Sequence, residues 1–283
     1  MILEDWHTHH ALCGHARGTL EDYIRAAISK GFNTIGFSEH YPNLFTQYLH
    51  KSLHKNVAMG FEQIKLYFVH AKKIKEQFNF QVEIRIGLEL DFSDSNNAAQ
   101  LVNHKKDIDY LIAGIHVLKE KNIMEASDHI WRMTNSQFIQ KYYDNSIVDM
   151  TIDYFRQLQD NINHHEFDFD IIAHFDVIKR VKKFKNNERV ENEVIKTLEV
   201  IKKRRKVMEI NTGGLREDIN EMYPCERIIR IMHELDIPIL PGSDAHQPEH
   251  VGFCFKKAIE NLKEIGYNRL AHFRKRKISY LEI

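Results

Sequence analysis

The segment D-W-H-T-H-H-A-L-C-G-H-A at residues 5–16 sets His7 and His9 two positions apart, with His15 a short turn beyond. On a strand, such a pair points both rings to one side. Imidazole is a common ligand for zinc, iron and related ions. A lone His-X-His pair is a frequent accident. Here, however, later apolar segments end in the same way. They are T-I-G-F-S-E-H at 34–40, V-E-I-R-I-G-L-E-L at 82–90, Y-L-I-A-G-I-H at 110–116, D-I-I-A-H at 170–174, V-M-E-I-N-T at 207–212 and P-I-L-P-G-S-D-A-H at 238–246. Their ends carry Glu39 and His40, Glu89, His116, His174, Asn211, and Asp244 with His246. The candidate ligands are His7, His9, His15, His40, Glu89, His116, His174, Asp244 and His246. That is more than the roughly three or four protein ligands one zinc-like ion takes. The set suits two or three ions, with Glu89 able to bridge because a carboxylate has two oxygens. Paired ions about 4 Å apart can clamp the attacking and leaving oxygens of a displacement. The chemistry indicated is metal-assisted hydrolysis, most naturally of a phosphate ester.

The elements that must position these groups alternate. Strand-like runs at about 1–8, 34–40, 82–90, 110–116, 170–174, 207–212 and 238–246 are separated by helical stretches. Helices are expected near 20–30, 61–78, 96–105, 136–164 with a break near Asn145, 188–203, 226–235 and 256–266, and a short run at 278–283 closes the sequence. Thr19, with Asp22 three residues on, predicts the cap of the first helix, and Gly31 its end. The strands are apolar on consecutive positions, as expected when both faces are covered. Strands alternating with helices imply a parallel sheet with crossover helices. In a closed α/β barrel all C-terminal strand ends share one rim, where active sites are built. An open doubly wound sheet would not bring seven ends together as easily. A barrel is therefore the expected fold, as a single domain over 1–283, since no repeat, low-complexity tract or linker divides it.

Lys plus Arg and Asp plus Glu both number 40, so bulk charge suggests neither a nucleic-acid nor a membrane partner. The basic runs at 202–206 and 274–277 read as solvated surface. Three cysteines, Cys13, Cys225 and Cys254, fit a reducing, cytoplasmic setting better than a disulfide framework. No signal-peptide pattern and no apolar run of membrane-spanning length is present.

The spacing of His7-X-His9, His15, Glu39-His40, Glu89, His116, His174 and Asp244-X-His246 resembles the polymerase-and-histidinol-phosphatase (PHP) superfamily. Within it, L-C-G-H-A, G-F-S-E-H-Y-P and N-T-G-G-L-R resemble the monofunctional histidinol-phosphate phosphatases. The resemblance runs from residue 1 to about 255. It implies a distorted (β/α)7 barrel, TIM-barrel-like, with a trinuclear metal centre at the C-terminal ends of the strands. It implies hydrolysis of L-histidinol phosphate to L-histidinol and phosphate in histidine biosynthesis. It places His7, His9, Glu89 and Asp244 on one ion. Glu89 then bridges to a second ion with His116 and His174, and His15, His40 and His246 resemble the ligands of a third. His10 stands where relatives often have serine or threonine and is not counted as a ligand. Glu39, often aspartate, is expected to orient a neighbouring ligand. Zinc, iron and manganese all suit this mixed donor set. Cys13, between two proposed ligands, is read as a small buried residue.

The substrate expected is a small phosphomonoester, and phosphate needs donors besides metal. Arg216, beyond N-T-G-G-L, should lie in a rim loop, and its planar fork matches phosphate. Gly213 and Gly214 would let backbone N–H groups approach an anion. Arg156 is a second candidate because arginines in comparable regions of the phosphatase branch hold phosphate; Arg189 and Arg17 are reserves. Glu89, Asp244 and His246 are the expected catalytic groups, with Asp244 or a nearby histidine protonating the leaving alkoxide. The competing readings are another PHP phosphoesterase, such as a nuclease or phosphotyrosine phosphatase, and a non-catalytic metal-binding module. Neutral charge speaks against the nuclease. A degenerate module would lack ligands, and none is missing.

Overall fold

A computed structural model describes residues 3–42, 58–92, 101, 103–119, 121–124, 134–164, 168–184 and 187–283. The strands β1 (Glu4–Asp5), β2 (Thr34–His40), β3 (Glu83–Asp91), β4 (Tyr110–Gly114), β7 (Ile171–Ile172), β8 (Val207–Asn211) and β9 (Ile239–Gly242) form one parallel sheet in that order. Its two ends nearly meet. Trp6 N–H donates to the Pro241 carbonyl at 3.1 Å, and His9 N–H to the Ala245 carbonyl at 2.9 Å. Thr8 and Ala245 form an isolated parallel bridge. The expected (β/α)7 barrel is thus realised, although β1 and β7 are shorter than the sequence suggested. A small hairpin, β5 (Val117–Leu118) and β6 (Lys121–Asn122), follows β4.

Helices α1 (Leu20–Ser29), α2 (Ile64–Phe78), α3 (Asn135–Tyr143), α4 (Ile147–His164), α5 (Glu188–Lys203), α6 (Glu226–Glu234) and α7 (Phe255–Ile265) surround the sheet. The α1 cap is the expected one: Thr19 and Asp22 form a reciprocal capping box. The expected break near Asn145 separates α3 from α4, with Asp144 and Asn145 both at positive φ. The expected helix at 96–105 lies largely outside the described residues.

Besides the β5–β6 hairpin, one further strand is not predicted by the sequence. The closing run at 278–283 belongs to β11 (Lys277–Glu282), which pairs antiparallel with β10 (Arg269–Arg274) instead of adding to the barrel. The basic run at 274–277, expected as plain surface, is the hairpin turn, with Lys275 and Arg276 at φ 49° and 62°.

A compact apolar plug fills the inside of the barrel. Trp6, Tyr110, Ile112, Ile171, Ala173, Val207 and Leu240 pack there with Ala271 and Phe273 of β10. The Trp6 and Tyr110 rings meet edge-on at 5.2 Å, and the Tyr110 hydroxyl donates to the Trp6 carbonyl at 2.8 Å. Gly36 and Gly87 make this possible, since a Cβ on either would lie 2.3 or 2.6 Å from the tyrosine side chain. The glycine in G-F-S-E-H therefore serves the floor beneath the rim, whereas the acid and histidine serve the rim itself.

Candidate metal centre and active site

Strand register assembles the cluster. Parallel pairing of β2 with β3 sets His40 opposite Glu89 at the strand ends. His7 and His9 extend from the end of β1, His116 from β4, His174 from β7, and Asp244 and His246 from β9. His174 and Asp244 hold positive φ, at 25° and 52°. Such non-glycine conformations cost energy and persist where surroundings dictate them, often at functional sites.

Glu89 lies at the centre, and its two oxygens face different partners. Oε1 is 3.0 Å from His174 Nε2 and 3.1 Å from His116 Nε2. Oε2 is 3.0 Å from His40 Nδ1, 3.3 Å from His7 Nε2 and 3.4 Å from His9 Nε2. Asp244 Oδ1 approaches His9 Nε2 at 3.4 Å, His7 Nε2 at 3.7 Å and His246 Nδ1 at 3.5 Å. His9 stacks between His40 and His246, at 4.1 and 4.3 Å between ring centroids. His15 completes the set, with Nε2 3.0 Å from His246 Nε2. All nine candidate ligands therefore converge at one rim. Cys13 is buried with its thiol on the His10 carbonyl, as a structural residue would be.

The donor set fits divalent cations. His7 and His9 bring their Nε2 atoms within 2.9 Å, so the two ring nitrogens must share a proton or a cation. His9 Nδ1, Glu89 Oε2 and His174 Nδ1 are buried without a hydrogen-bond partner. Burial alone would raise the Glu89 carboxyl, but the imidazoles of His7, His116 and His40 hold it well below the carboxylate range. Asp244 is likewise held low against its burial, chiefly by His7 and His9. The imidazoles cannot all protonate in return. Burial and His9 push His40 down to about 3, and the same two causes take His246 well below its ordinary value. His116 goes the other way, to about 10: burial opposes protonation, but Glu89 and Asp91 outweigh it. Burial opposes protonation of His7 and His9 as well, but carboxylates, Glu209 beside His7 and Asp244 beside His9, raise both. Ionised carboxylates among imidazoles that cannot all take a proton form a site that favours metal cations.

A ring of groups behind the ligands fixes their orientation, and the sequence reading found only part of it. Glu39 holds the His10 ring and backbone N–H and lies 3.7 Å from His9 Nδ1, so its close partner is His10 and not one of the candidate ligand rings. Asp91 takes His116 Nδ1 at 3.1 Å. Glu209, fully buried in the middle of β8, was missed. It meets His7 Nδ1 at 2.6 Å and accepts from His174 N–H at 2.8 Å and Asn211 Nδ2 at 3.0 Å. Asn211 is thus a support of the rim. Both oxygens of Glu209 receive donors, so a glutamine amide in its place would face a donor whichever way it turned. Glu209→Gln should weaken metal retention about tenfold or more, as loss of such outer partners does. Metal content after dialysis against a weak chelator, compared with wild type, measures this. Equal retention would remove Glu209 from the support of His7.

The candidate phosphate donors separate. Arg216 reaches the rim, donating from NH2 to the Asp244 carbonyl at 2.8 Å, while NH1 is buried without a partner. Arg156 does not. It lies on the outer helical layer, its side chain 63% exposed, paired with Glu193 of α5 at 3.2 Å. The arginine at this position of α4 points away from the apolar stripe of Thr151, Tyr154, Phe155 and Leu158 that packs inward. Arg189 is also outward, on Asp149. Arg17 is exposed and serves through its backbone N–H, which donates to the His246 carbonyl. Arg180, not considered from sequence, follows β7 and pairs with Glu217 at 3.1 Å, with Nε buried and unpartnered. Near it the buried Tyr223 hydroxyl also lacks a partner and feels both Arg180 and Asp244.

A barrel with a histidine-rich, carboxylate-bridged rim defines a metal-dependent hydrolase class of α/β barrel. The chain matches the PHP domain over residues 5–213 and a PHP-associated segment over 223–265, and it belongs to the PHP family. It is 29% identical over 275 residues to a probable histidinol-phosphatase of Deinococcus radiodurans, covering 97% of each chain. It is 24% identical to the histidinol-phosphatase of Bacillus subtilis, covering 92% of this chain and 99% of that one. Among solved structures, it shares its fold with histidinol phosphate phosphatase from Lactococcus lactis, crystallised with zinc, L-histidinol and phosphate. That likeness has a TM-score of 0.73 at 19% identity and covers 98% of both chains.

Proposed function

We propose that this chain hydrolyses L-histidinol phosphate to L-histidinol and phosphate, using two or three divalent ions of zinc, iron or manganese type. One observation carries the reading: a chain matching named histidinol-phosphatases over nearly its whole length gathers nine metal-type donors, with Glu89 at their centre, at one rim. His7, His9, Glu89 and Asp244 would hold one ion, and Glu89 with His116 and His174 a second. His15, His40 and His246 would hold the third. When bound, the ions supply charge neutralisation at the phosphoryl group and activation of water.

The protein groups do the rest. Arg216, with its unpartnered buried NH1, grips a phosphoryl oxygen, and Arg180 provides a second guanidinium on the same side. Glu89 spaces the two halves of the cluster. Asp244 or His246, both held unprotonated in the free site, would take the proton released by the attacking water and pass it to the leaving alkoxide oxygen as the P–O bond breaks. Glu209 and Asp91 lock the rings of His7 and His116 from behind. Asp244 comes from the segment matched separately from the PHP domain, which supports reading residues 1–283 as one domain. The proposed partner is a small phosphomonoester, with no nucleic acid or membrane. Among the described residues no helix is long and apolar enough to cross a membrane. Cytoplasmic placement is part of the same proposal.

The test is phosphate release from L-histidinol phosphate beside a panel containing phosphotyrosine, simple phosphomonoesters and a single-stranded oligonucleotide. Metal is counted on the same sample, purified without chelator. Expected are clear preference for L-histidinol phosphate and two to three ions per chain. Less than one ion, with activity indifferent to chelation, would sink the multinuclear reading. Preference for phosphotyrosine or the oligonucleotide would move the chain to another branch of the family.

A further inference from the structure

The hairpin that closes the chain leaves one edge of β11 without a partner strand among the described residues. Register decides which residues face that edge. Across the two-residue turn, Arg274 pairs with Lys277, and the alternation makes His272–Ser279 and Leu270–Leu281 the pairs that exchange hydrogen bonds inside the hairpin. The 3.0 Å bond from Ile283 N–H to the Asn268 carbonyl keeps the same phase. Ile278, Tyr280 and Glu282 therefore turn their backbone N–H and C=O groups outward. Ile278 and Tyr280 are also 43% and 44% exposed, among the most open large apolar side chains of the described surface. Apolar side chains along an open row of backbone donors and acceptors make a template for another strand.

We propose that β11 pairs antiparallel with β11 of a second copy of this chain, about a two-fold axis at Ser279. Three features of the strand select this partner and this register. First, the axis falls near the middle of Lys277–Glu282, so the two strands overlap along their full length. Second, it sets outward-facing Ile278 against the partner's Tyr280, and Tyr280 against the partner's Ile278. A β-branched residue opposite an aromatic one is a favourable cross-strand pair. Third, it carries Glu282 to the basic turn of the other copy. Arg276 there is already engaged by Asp168 and Asp170, which leaves Lys275 and Lys277 to meet the glutamate. A parallel arrangement would instead lay Arg274–Lys277 against its own copy, with like charges opposed. Only the small Ser279 side chains meet on the axis.

A single strand pair buries less than the ~1,600 Å² of a standard stable interface, so the dimer should be weak and reversible. It lies at the hairpin, on the side of the barrel plug away from the rim, and the metal cluster takes no part in it.

Sedimentation of the full chain from low micromolar to several hundred micromolar tests the proposal. The wild type should move from monomer toward dimer over that range. An Ile278→Lys, Tyr280→Lys double variant should stay monomeric, with its melting curve and phosphatase activity at low concentration unchanged. Val69→Lys, at an exposed apolar residue elsewhere, should dimerise as wild type. The register has its own test. Opposite residues in a non-hydrogen-bonded pair lie about 4.5 Å apart at Cα, within disulfide reach. In a Cys254→Ser background, Ser279→Cys should form a covalent dimer under mild oxidation and Tyr280→Cys should not. A wild type that stays monomeric throughout leaves the edge to some other strand and overturns the proposal. So does a dimer that survives the double lysine variant, and cross-linking through Tyr280→Cys alone overturns the axis.

Discussion

Glu89→Gln should leave a folded protein that turns over substrate on the order of 1,000-fold more slowly, a loss of about 4 kcal/mol in transition-state stabilisation. The reason is the division of its two oxygens, one set on His116 and His174, the other on His7, His9 and His40. A glutamine keeps one carbonyl oxygen but offers an N–H₂ donor where the other oxygen stood. One half of the cluster then loses its anionic ligand, and the two halves lose their common group. Removing the negative charge also removes what holds positive charge at the centre, so a fall in metal content should accompany the fall in kcat. The barrel should persist, because the plug of Trp6 and Tyr110 beneath the rim does not depend on the carboxylate. Steady-state kinetics, metal analysis and a melting curve on one preparation measure all three. Near-normal kcat with full metal content would take Glu89 out of the mechanism.

Arg216→Ala should lower kcat/KM by roughly ten- to a hundredfold, the 1.5–3 kcal/mol of a charge-assisted bond to phosphate. Metal content should stay at the wild-type level. That second readout is needed because Arg216 also donates to the Asp244 carbonyl, and its guanidinium lies 5.5 Å from the Phe253 ring. If the arginine merely held the Asp244 loop, the alanine variant would lose metal together with activity. Arg216→Lys should recover only part of the loss, since an ammonium cannot reproduce the planar fork. Wild-type kcat/KM in Arg216→Ala would shift the phosphate site toward Arg180.

The parts of the site legible in the sequence were those governed by a period. His7 and His9 share a strand face because their spacing is two, and Glu89, His116, His174 and Asp244 follow runs too apolar to be anything but buried strands. Once a barrel was chosen, their convergence followed. Glu209 was not legible in that way. In V-M-E-I-N a mid-strand glutamate reads as a solvent-facing residue, and only closure of the barrel brings it behind His7 and His174. Asp91 ends β3 two residues after Glu89 and shares its strand face, a period-two signal available in the sequence, whereas Arg180 lies in the turn beyond β7, where loop geometry and not spacing sets direction. Arg156 is different, since the apolar stripe of α4 already excluded it from the inward face; analogy with relatives overrode a periodic signal. The β10–β11 hairpin was missed for a chemical reason. Two-residue hairpin turns with positive φ favour Asn and Gly, and this one uses Lys275 and Arg276.

The packed interior of the barrel has a consequence for traffic. Trp6 and Tyr110 have no exposed surface, and Ala271 and Phe273 of the hairpin back them. The lumen is a stopper, so substrate, product and ions all share the mouth at the rim. A phosphate resting on Arg216 would then stand in the exit of the ions behind it. Metal stripping by a chelator should slow when inorganic phosphate is present, and Arg216→Ala should weaken that protection while leaving the unprotected rate unchanged. The enzyme would guard its metals best while it is working.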